Sequence, residues 1–251
     1  MTTVMMQGLE QSSVELVNPL GESDVLLVCE HASHYIPDSF TNLGISQAER
    51  LSHIGWDIGA ADMARALSSM LDASLVLQRY SRLLYDCNRP PSEASAIPPL
   101  SEVTEIPGNK ALTAEQRNYR VERIYEPFHQ EIATQIATRK TAGRATILVT
   151  IHSFTPVFMG VNRAVQLGVI CHENNTFANS FYRGARKLSH FDIRMNEPYG
   201  PSDPVLHMVT RHGDEQQIPN VMLEVRNDLI VDDAGQQECA TLVAETLNSL
   251  T

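Results

Sequence analysis

Two histidines stand at the ends of apolar runs, His152 directly after Ala145–Ile151 and His31 one residue beyond Val25–Cys29. A lone imidazole at the end of a buried strand is most often a satisfied polar residue. Two of them, both with carboxylates nearby, point instead to metal ligation. Imidazole nitrogen and carboxylate oxygen are the usual ligands of a catalytic zinc ion, which takes three protein ligands and keeps one position open. Glu30, His34 and Asp57 compete for the third place, and the i, i+3 spacing of His31 and His34 favours His34. Glu224 interrupts the apolar run Val221–Val225, where a carboxylate is costly to bury without a partner or a task. It reads either as an ion-pair partner of Arg226 or Arg89, or as a general base toward a water. Arg82 and Arg89 stand in an otherwise neutral stretch. A guanidinium can grip a carboxylate through two parallel N–H groups or stabilise an oxyanion, and Asn88 adds an amide donor. For Arg82 the alternative is an ion pair with Asp86 or Glu224. Ser153 and Arg226, beside His152 and Glu224, complete the substrate-binding candidates.

These residues must be carried by a scaffold, and the apolar periodicity alternates between strand-like and helix-like segments. Asp24–Cys29, Leu75–Tyr80, Ala145–Ile151, Val165–Cys171 and Val221–Val225 read as buried strands. Gln47–Leu71 carries Leu51, Ile54, Ile58, Ala61, Ala64, Leu67 and Leu71 at helical spacing. Thr113 and Gln116 form a capping box that opens a second helix, running toward Gly143. Thr176–Leu188 and a C-terminal helix capped by Asp232 or Asp233 follow. Pro90–Lys110 and Asn196–Gly213 read as loops, the first long enough to be a lid or binding loop. The alternation predicts a three-layer α/β/α fold with a central, mostly parallel sheet. Ligands of such sheets bind beyond the C-terminal strand ends. The polar clusters Glu30–His34, Arg82–Arg89, His152–Ser153 and Glu224–Asp228 fall at four such ends. Trp56 reads as core, and His53, His129 and His190 as surface residues.

The chain has 251 residues, 43% hydrophobic and 20% charged, which suits a single domain spanning 1–251 with a substantial core and excludes a disordered chain. With 30 acidic against 19 basic residues, the formal charge of -11 argues against nucleic acid or anionic lipid as a general partner. A small anionic substrate would need a local cationic pocket. The first residues have no basic start or long apolar run, so no leader is expected, and no stretch is long enough to span a bilayer. The four cysteines, Cys29, Cys87, Cys171 and Cys239, are widely spaced and predict reduced, buried thiols in a cytoplasmic protein. A covalent thiol mechanism at Cys29 or Cys87 is disfavoured because neither has an electropositive setting. No glycine-rich phosphate loop is present. The sequence carries no sign of the oligomeric state.

Five ordered motifs, read together, resemble the N-formylglutamate amidohydrolase family. They are Cys29-Glu30-His31-Ala32-Ser33, Trp56-Asp57-Ile58-Gly59-Ala60, Ser81-Arg82-Leu83-Leu84-Tyr85-Asp86-Cys87-Asn88-Arg89-Pro90, His152-Ser153-Phe154-Thr155-Pro156 and Glu224-Val225-Arg226-Asn227-Asp228-Leu229-Ile230. The same motifs resemble the wider zinc-carboxypeptidase and aspartoacylase group. The resemblance implies a zinc-carboxypeptidase-like sheet and one zinc ion bound by His31 and His152. Relatives in the wider group place a Glu three residues after the first histidine, where this chain has His34. Deformylases carry a His in a Trp-His segment, where this chain has Asp57, and Asp57 is the third ligand the resemblance favours. It further implies that Asn88 and Arg89 bind the substrate carboxylate, that Arg82 polarises the scissile carbonyl, and that Glu224 is the base. The implied reaction is hydrolysis of the amide of a small N-acyl amino acid, N-formyl among them, by zinc-activated water. Its rivals are another acyl-amino acid or a short peptide as substrate, and a metal-free binding protein on the same scaffold.

Overall fold

The structure, a computed structural model, describes residues 8–250. The N-terminal reading rests partly on residues 1–7, which lie outside the described residues. Seven strands form the central sheet: β1 (Val14–Val17), β2 (Val25–Cys29), β3 (Ser74–Gln78), β4 (Ile147–Phe154), β5 (Leu167–Ile170), β6 (Ile193–Met195) and β7 (Asn220–Arg226). Their spatial order is β1-β3-β2-β4-β7-β5-β6. The four inner strands β3, β2, β4 and β7 are mutually parallel. The outer strand β1 and the β5–β6 pair run the other way. All four strands that end in polar clusters therefore deliver them to one edge of the sheet.

Side chains alternate across the sheet, and both faces are covered. Leu27 and Cys29 of β2, Val149 and Ile151 of β4, and Leu223 and Val225 of β7 pack into one core. Helices α2 (Ala60–Leu71), α5 (Thr176–Leu188) and α7 (Asp233–Asn248) cover that face. Leu26, Val28 and Leu148 face the opposite core, closed by α4 (Glu126–Thr141) with Phe128, Ile132 and Ile136. Helix α3 (Ala114–Arg120) opens at Thr113 with the predicted capping box and joins α4 through one π-helical turn, Val121–Tyr125. Asp232 caps α7 through Gly235 N–H. The mixed, mostly parallel sheet between helical layers is the predicted architecture. Among the described residues no helix is long and apolar enough to cross a membrane.

The helix predicted over Gln47–Leu71 is broken. A short α1 (Gln47–Leu51) ends at Ser52, and α2 begins only at Ala60. Gly59 makes the break possible. Its φ of +78° is left-handed, and a Cβ there would meet the Ile230 carbonyl oxygen at 2.2 Å. The intervening loop is pinned by Asp57 N–H to His31 O, and by Ser81 Oγ–H to Gly55 O. The predicted Asn196–Gly213 loop contains a one-and-a-half-turn helix, α6 (His207–His212). No local residue caps it. Asn88 Oδ1 instead accepts from Met208 N–H at 2.9 Å, a long-range contact that no local pattern reveals. Trp56 is half-buried rather than core, with its indole N–H on Leu51 O.

Candidate metal centre

Three residues converge beyond the ends of β2 and β4. His31 follows β2, His152 lies within the last turn-ward residues of β4, and Asp57 is brought in by the α1–α2 loop. One ligand atom from each lies within 4.8 Å of the other two, and all three side chains are buried. Asp57 Oδ2 stands 3.3 Å from His31 Nδ1 and 2.9 Å from His152 Nδ1. The opposite nitrogens are held by further carboxylates. His31 Nε2 lies 2.7 Å from Asp86 Oδ1, and His152 Nε2 lies 3.0 Å from Glu30 Oε2. The Glu30 contact is an ion-pair approach rather than an aligned hydrogen bond.

This arrangement fits a divalent metal. A ligating imidazole characteristically rests its second nitrogen on a carboxylate, which sets the tautomer and the ring direction. Here both Nδ1 atoms face Asp57, and both Nε2 atoms face outer carboxylates. Burial raises the cost of a charged Asp57, but His31 and His152 outweigh it and hold the carboxyl far below its ordinary value. For His152, burial disfavours the cation, and Glu30 and Asp57 reverse this, pushing its pKa well up. A metal would take the place of the protons that now join these groups. If Glu30 orients His152, Glu30→Gln is expected to weaken metal binding by about 10–100-fold while the protein stays folded. A competition titration with a chromogenic chelator reads this directly, and unchanged affinity would remove the orienting role.

The other candidates fall around this cluster. His34 does not join it: the ring packs edge-on against Trp56 at 5.1 Å, although its Nδ1 is buried without a partner. Glu30 stands behind His152, on the side away from Asp57. Glu224 lies directly beside His152 in the parallel β4–β7 register, on the face opposite Leu223 and Val225. It forms no ion pair with Arg226 or Arg89, and its buried Oε2 has no hydrogen-bond partner. Burial pushes its pKa up to about 7, with Asp57 adding to the rise and His152, His31 and Arg82 opposing it. Arg82 does pair with Asp86, at 2.8 Å, and also reaches Asp57 at 3.3 Å. Ser153 donates its N–H to Asp57 Oδ2 and its hydroxyl to Ile58 O, so it steadies the Asp57 loop.

A cavity of about 110 Å³ opens onto the cluster and is lined by Asp57, Arg82, Arg89, His152, Tyr199 and Glu224, among others. Arg89 is the cation there with no acidic group in salt-bridge range. Its Nη1–H donates to the neighbouring Asn88 O, and its buried Nε is unpartnered. Asn88 is largely committed, because its Nδ2 donates to Val205 O at 2.6 Å and its Oδ1 caps α6. Arg226 lies outside the cavity, where Asp228 and the carbonyls of Arg163 and Ala164 hold its guanidinium. The thiols of Cys29 and Cys87 are buried and unpaired, and burial pushes both pKa values well up, so neither is an activated nucleophile.

Sequence reasoning missed several neighbours. Tyr199 reaches the cavity from the 196–206 segment, and only the folded loop reveals it. His53, read as surface, lines an outer chamber beside Glu102. His129, also read as surface, is 2% exposed and bonds to His212 and to Cys87 O. It thereby braces the segment that carries Asp86, Asn88 and Arg89. A histidine on the apolar face of a helix that also carries Phe128 and Ile132 was the available signal.

Comparison with known proteins bears on the fold and the family. A crystallised gene product of Agrobacterium tumefaciens is 42% identical, with a TM-score of 0.92 over 97% of this chain and 98% of that one. A crystallised N-formylglutamate amidohydrolase from Ralstonia eutropha has the same fold at 17% identity, with a TM-score of 0.69 over 95% of this chain and 97% of that one. Among curated proteins none matches the chain. The model of the N-formylglutamate amidohydrolase family matches residues 23–231, a span that includes all five motifs, and the chain belongs to that family.

Proposed function

We propose that the chain, acting as one domain, is a zinc-dependent cytoplasmic amidohydrolase that cleaves the linear amide of a small N-acyl amino acid, the formyl group among its acyl groups. The observation that carries this reading is the convergence of His31 Nδ1, Asp57 Oδ2 and His152 Nδ1 beside a buried, unpartnered Glu224. His31, Asp57 and His152 would hold the ion. Zinc, when bound, supplies Lewis acidity and makes water acidic near neutral pH.

The chain's own residues supply the remaining chemistry. Glu224, buried and unpartnered beside His152, can take a proton from the attacking water and return it to the leaving nitrogen. Arg82 stays charged between Asp57 and Asp86 and lines the cavity, where its remaining N–H groups can meet a developing oxyanion. Arg89 offers its guanidinium to the substrate carboxylate. Asn88 contributes at most its second N–H and otherwise holds Val205 and Met208 in position. A panel of N-formyl, N-acetyl and N-succinyl amino acids, assayed with and without chelator, tests the reading. Turnover that chelation abolishes and zinc restores is the expected result.

Arg89→Lys keeps the charge but loses the planar fork. The expected outcome is a KM raised about tenfold or more with a smaller change in kcat, which corresponds to about 1.4 kcal/mol or more of lost binding. Steady-state kinetics on a carboxylate-bearing substrate checks it, and unchanged KM would exclude Arg89 from carboxylate recognition.

A further inference from the structure

The inner cavity of about 110 Å³ continues into an outer chamber of about 280 Å³. Asp57, Arg82, Arg89, Ser153 and Tyr199 line both, so the two are successive parts of one path. The inner part is lined almost wholly by charged and polar groups and is small. It suits the reacting amide and its carboxylate, and whatever else the substrate carries must extend outward.

The outer chamber is mixed: Ser95, Ser101, Ser153, Thr155 and Tyr199 line it with hydroxyl groups beside an apolar wall. Ile54, Leu83, Pro98, Leu100, Phe154 and Phe158 supply its apolar wall. Leu100 belongs to a hairpin, Leu100–Ser101 with Thr104–Glu105, inside the long loop after β3. Phe158 belongs to a second hairpin, Val157–Phe158 with Val161–Asn162, just after β4. Arg163 packs its guanidinium over Phe158 at 4.5 Å, Tyr199 at 5.0 Å and Phe154 at 5.6 Å, which stiffens this wall from behind without lining the chamber. The charges in the chamber are nearly all matched. Arg82 is shared by Asp57 and Asp86, and His53 stands 2.5 Å from Glu102. Arg89 alone among the lining cations has no acidic partner, and one substrate carboxylate uses it.

A second carboxylate on the substrate would find no unmatched cation among the residues that line the chamber, and would meet Glu102. Resting on the N-acyl amino acid reading, we infer that the amino-acid side chain of the substrate is uncharged, so that glutamine- or leucine-type substrates are taken in preference to glutamate. The chamber's hydroxyl groups and apolar wall can receive an uncharged side chain, whereas desolvating an unpaired carboxylate there is unfavourable.

The test uses the zinc-loaded full chain and the N-formyl and N-acetyl derivatives of leucine, glutamine and glutamate. Glutamine and glutamate are nearly isosteric, so their ratio isolates the charge. The expected kcat/KM for the leucine and glutamine substrates exceeds that for glutamate by about tenfold or more. Glutamate equal to or better than glutamine overturns the inference. Leu100→Lys adds a cation at the chamber rim, on a side chain that is 55% exposed and outside the catalytic machinery. It is expected to narrow the glutamine-to-glutamate ratio about threefold or more. A ratio unchanged by Leu100→Lys shows that the side chain does not occupy the chamber and also overturns the inference. Absence of turnover in both acyl series overturns the amidohydrolase reading itself, which separates the two failures.

Discussion

Glu224→Gln is expected to yield a folded, metal-loaded protein whose kcat is lower by about 10²–10⁴-fold, with a smaller change in KM. The substitution keeps the shape of the side chain and removes its basicity. Glu224 lies beside His152 in the β4–β7 ladder, is 4% exposed, has a buried, unpartnered oxygen, and lines the inner cavity. In the metal-free chain burial pushes its pKa up to about 7. Stability separates this role from a structural one. A carboxyl whose folded pKa lies above its unfolded value of about 4.3 opposes folding increasingly as pH rises from there toward 7. Glu224→Gln is therefore expected to raise the melting temperature of the metal-free protein at pH 8 relative to wild type. A structural ion pair would give the opposite sign, lost stability with activity retained. Thermal melting and kcat on the same preparation distinguish them.

His152→Ala should have the largest effect on the metal. It removes one of three converging ligands, and the loss of affinity is expected to exceed the roughly 100-fold upper range for outer partners. It also strands Glu30, whose one ion-pair partner among the described residues is His152, while Asp57 keeps His31 and Arg82. Glu30 is fully buried and Asp57 nearly so, and His152 lies between them at 3.0 Å and 2.9 Å. Breaking a buried pair by removing one partner costs about 3–5 kcal/mol, so the metal-free variant should melt well below the wild type. Zinc content after dialysis and a melting curve check both. Full zinc occupancy in the variant would exclude His152 as a ligand.

The sheet was legible in the sequence because its inner strands are buried on both faces. Continuous apolar runs such as Val25–Cys29 and Ile147–Ile151 have few other readings. The clusters at their ends were legible for the same reason, since a polar residue directly after such a run must emerge at the sheet edge. Periodicity failed where tertiary contacts overrode it. Leu51, Ile54 and Ile58 continue a helical pattern into Ala61, yet Gly59 against Ile230 and the Asp57 bond to His31 O break the helix. That break is what presents Asp57. The spacing of His34 from His31 suggested a ligand, whereas the chain after β2 turns His34 onto Trp56. Asn88 looked like a free donor, and only the position of α6 shows that it is a remote helix cap. Arg226 ends the same strand as Glu224 but is held outside the cavity by Asp228. Tyr199, His53 and Glu102 reach the path from three separate loops, and no local pattern marks them.

The most direct test of the account is a zinc titration of dialysed, metal-free protein, with N-formyl amino acid hydrolysis and bound zinc measured at every step. Expected are no turnover without metal, one tight zinc per chain, and activity that rises in proportion to occupancy and saturates at one equivalent. Proportional recovery should vanish in His152→Ala. Turnover by the metal-free chain, or one tightly bound zinc with no hydrolysis of any N-acyl amino acid, would contradict it.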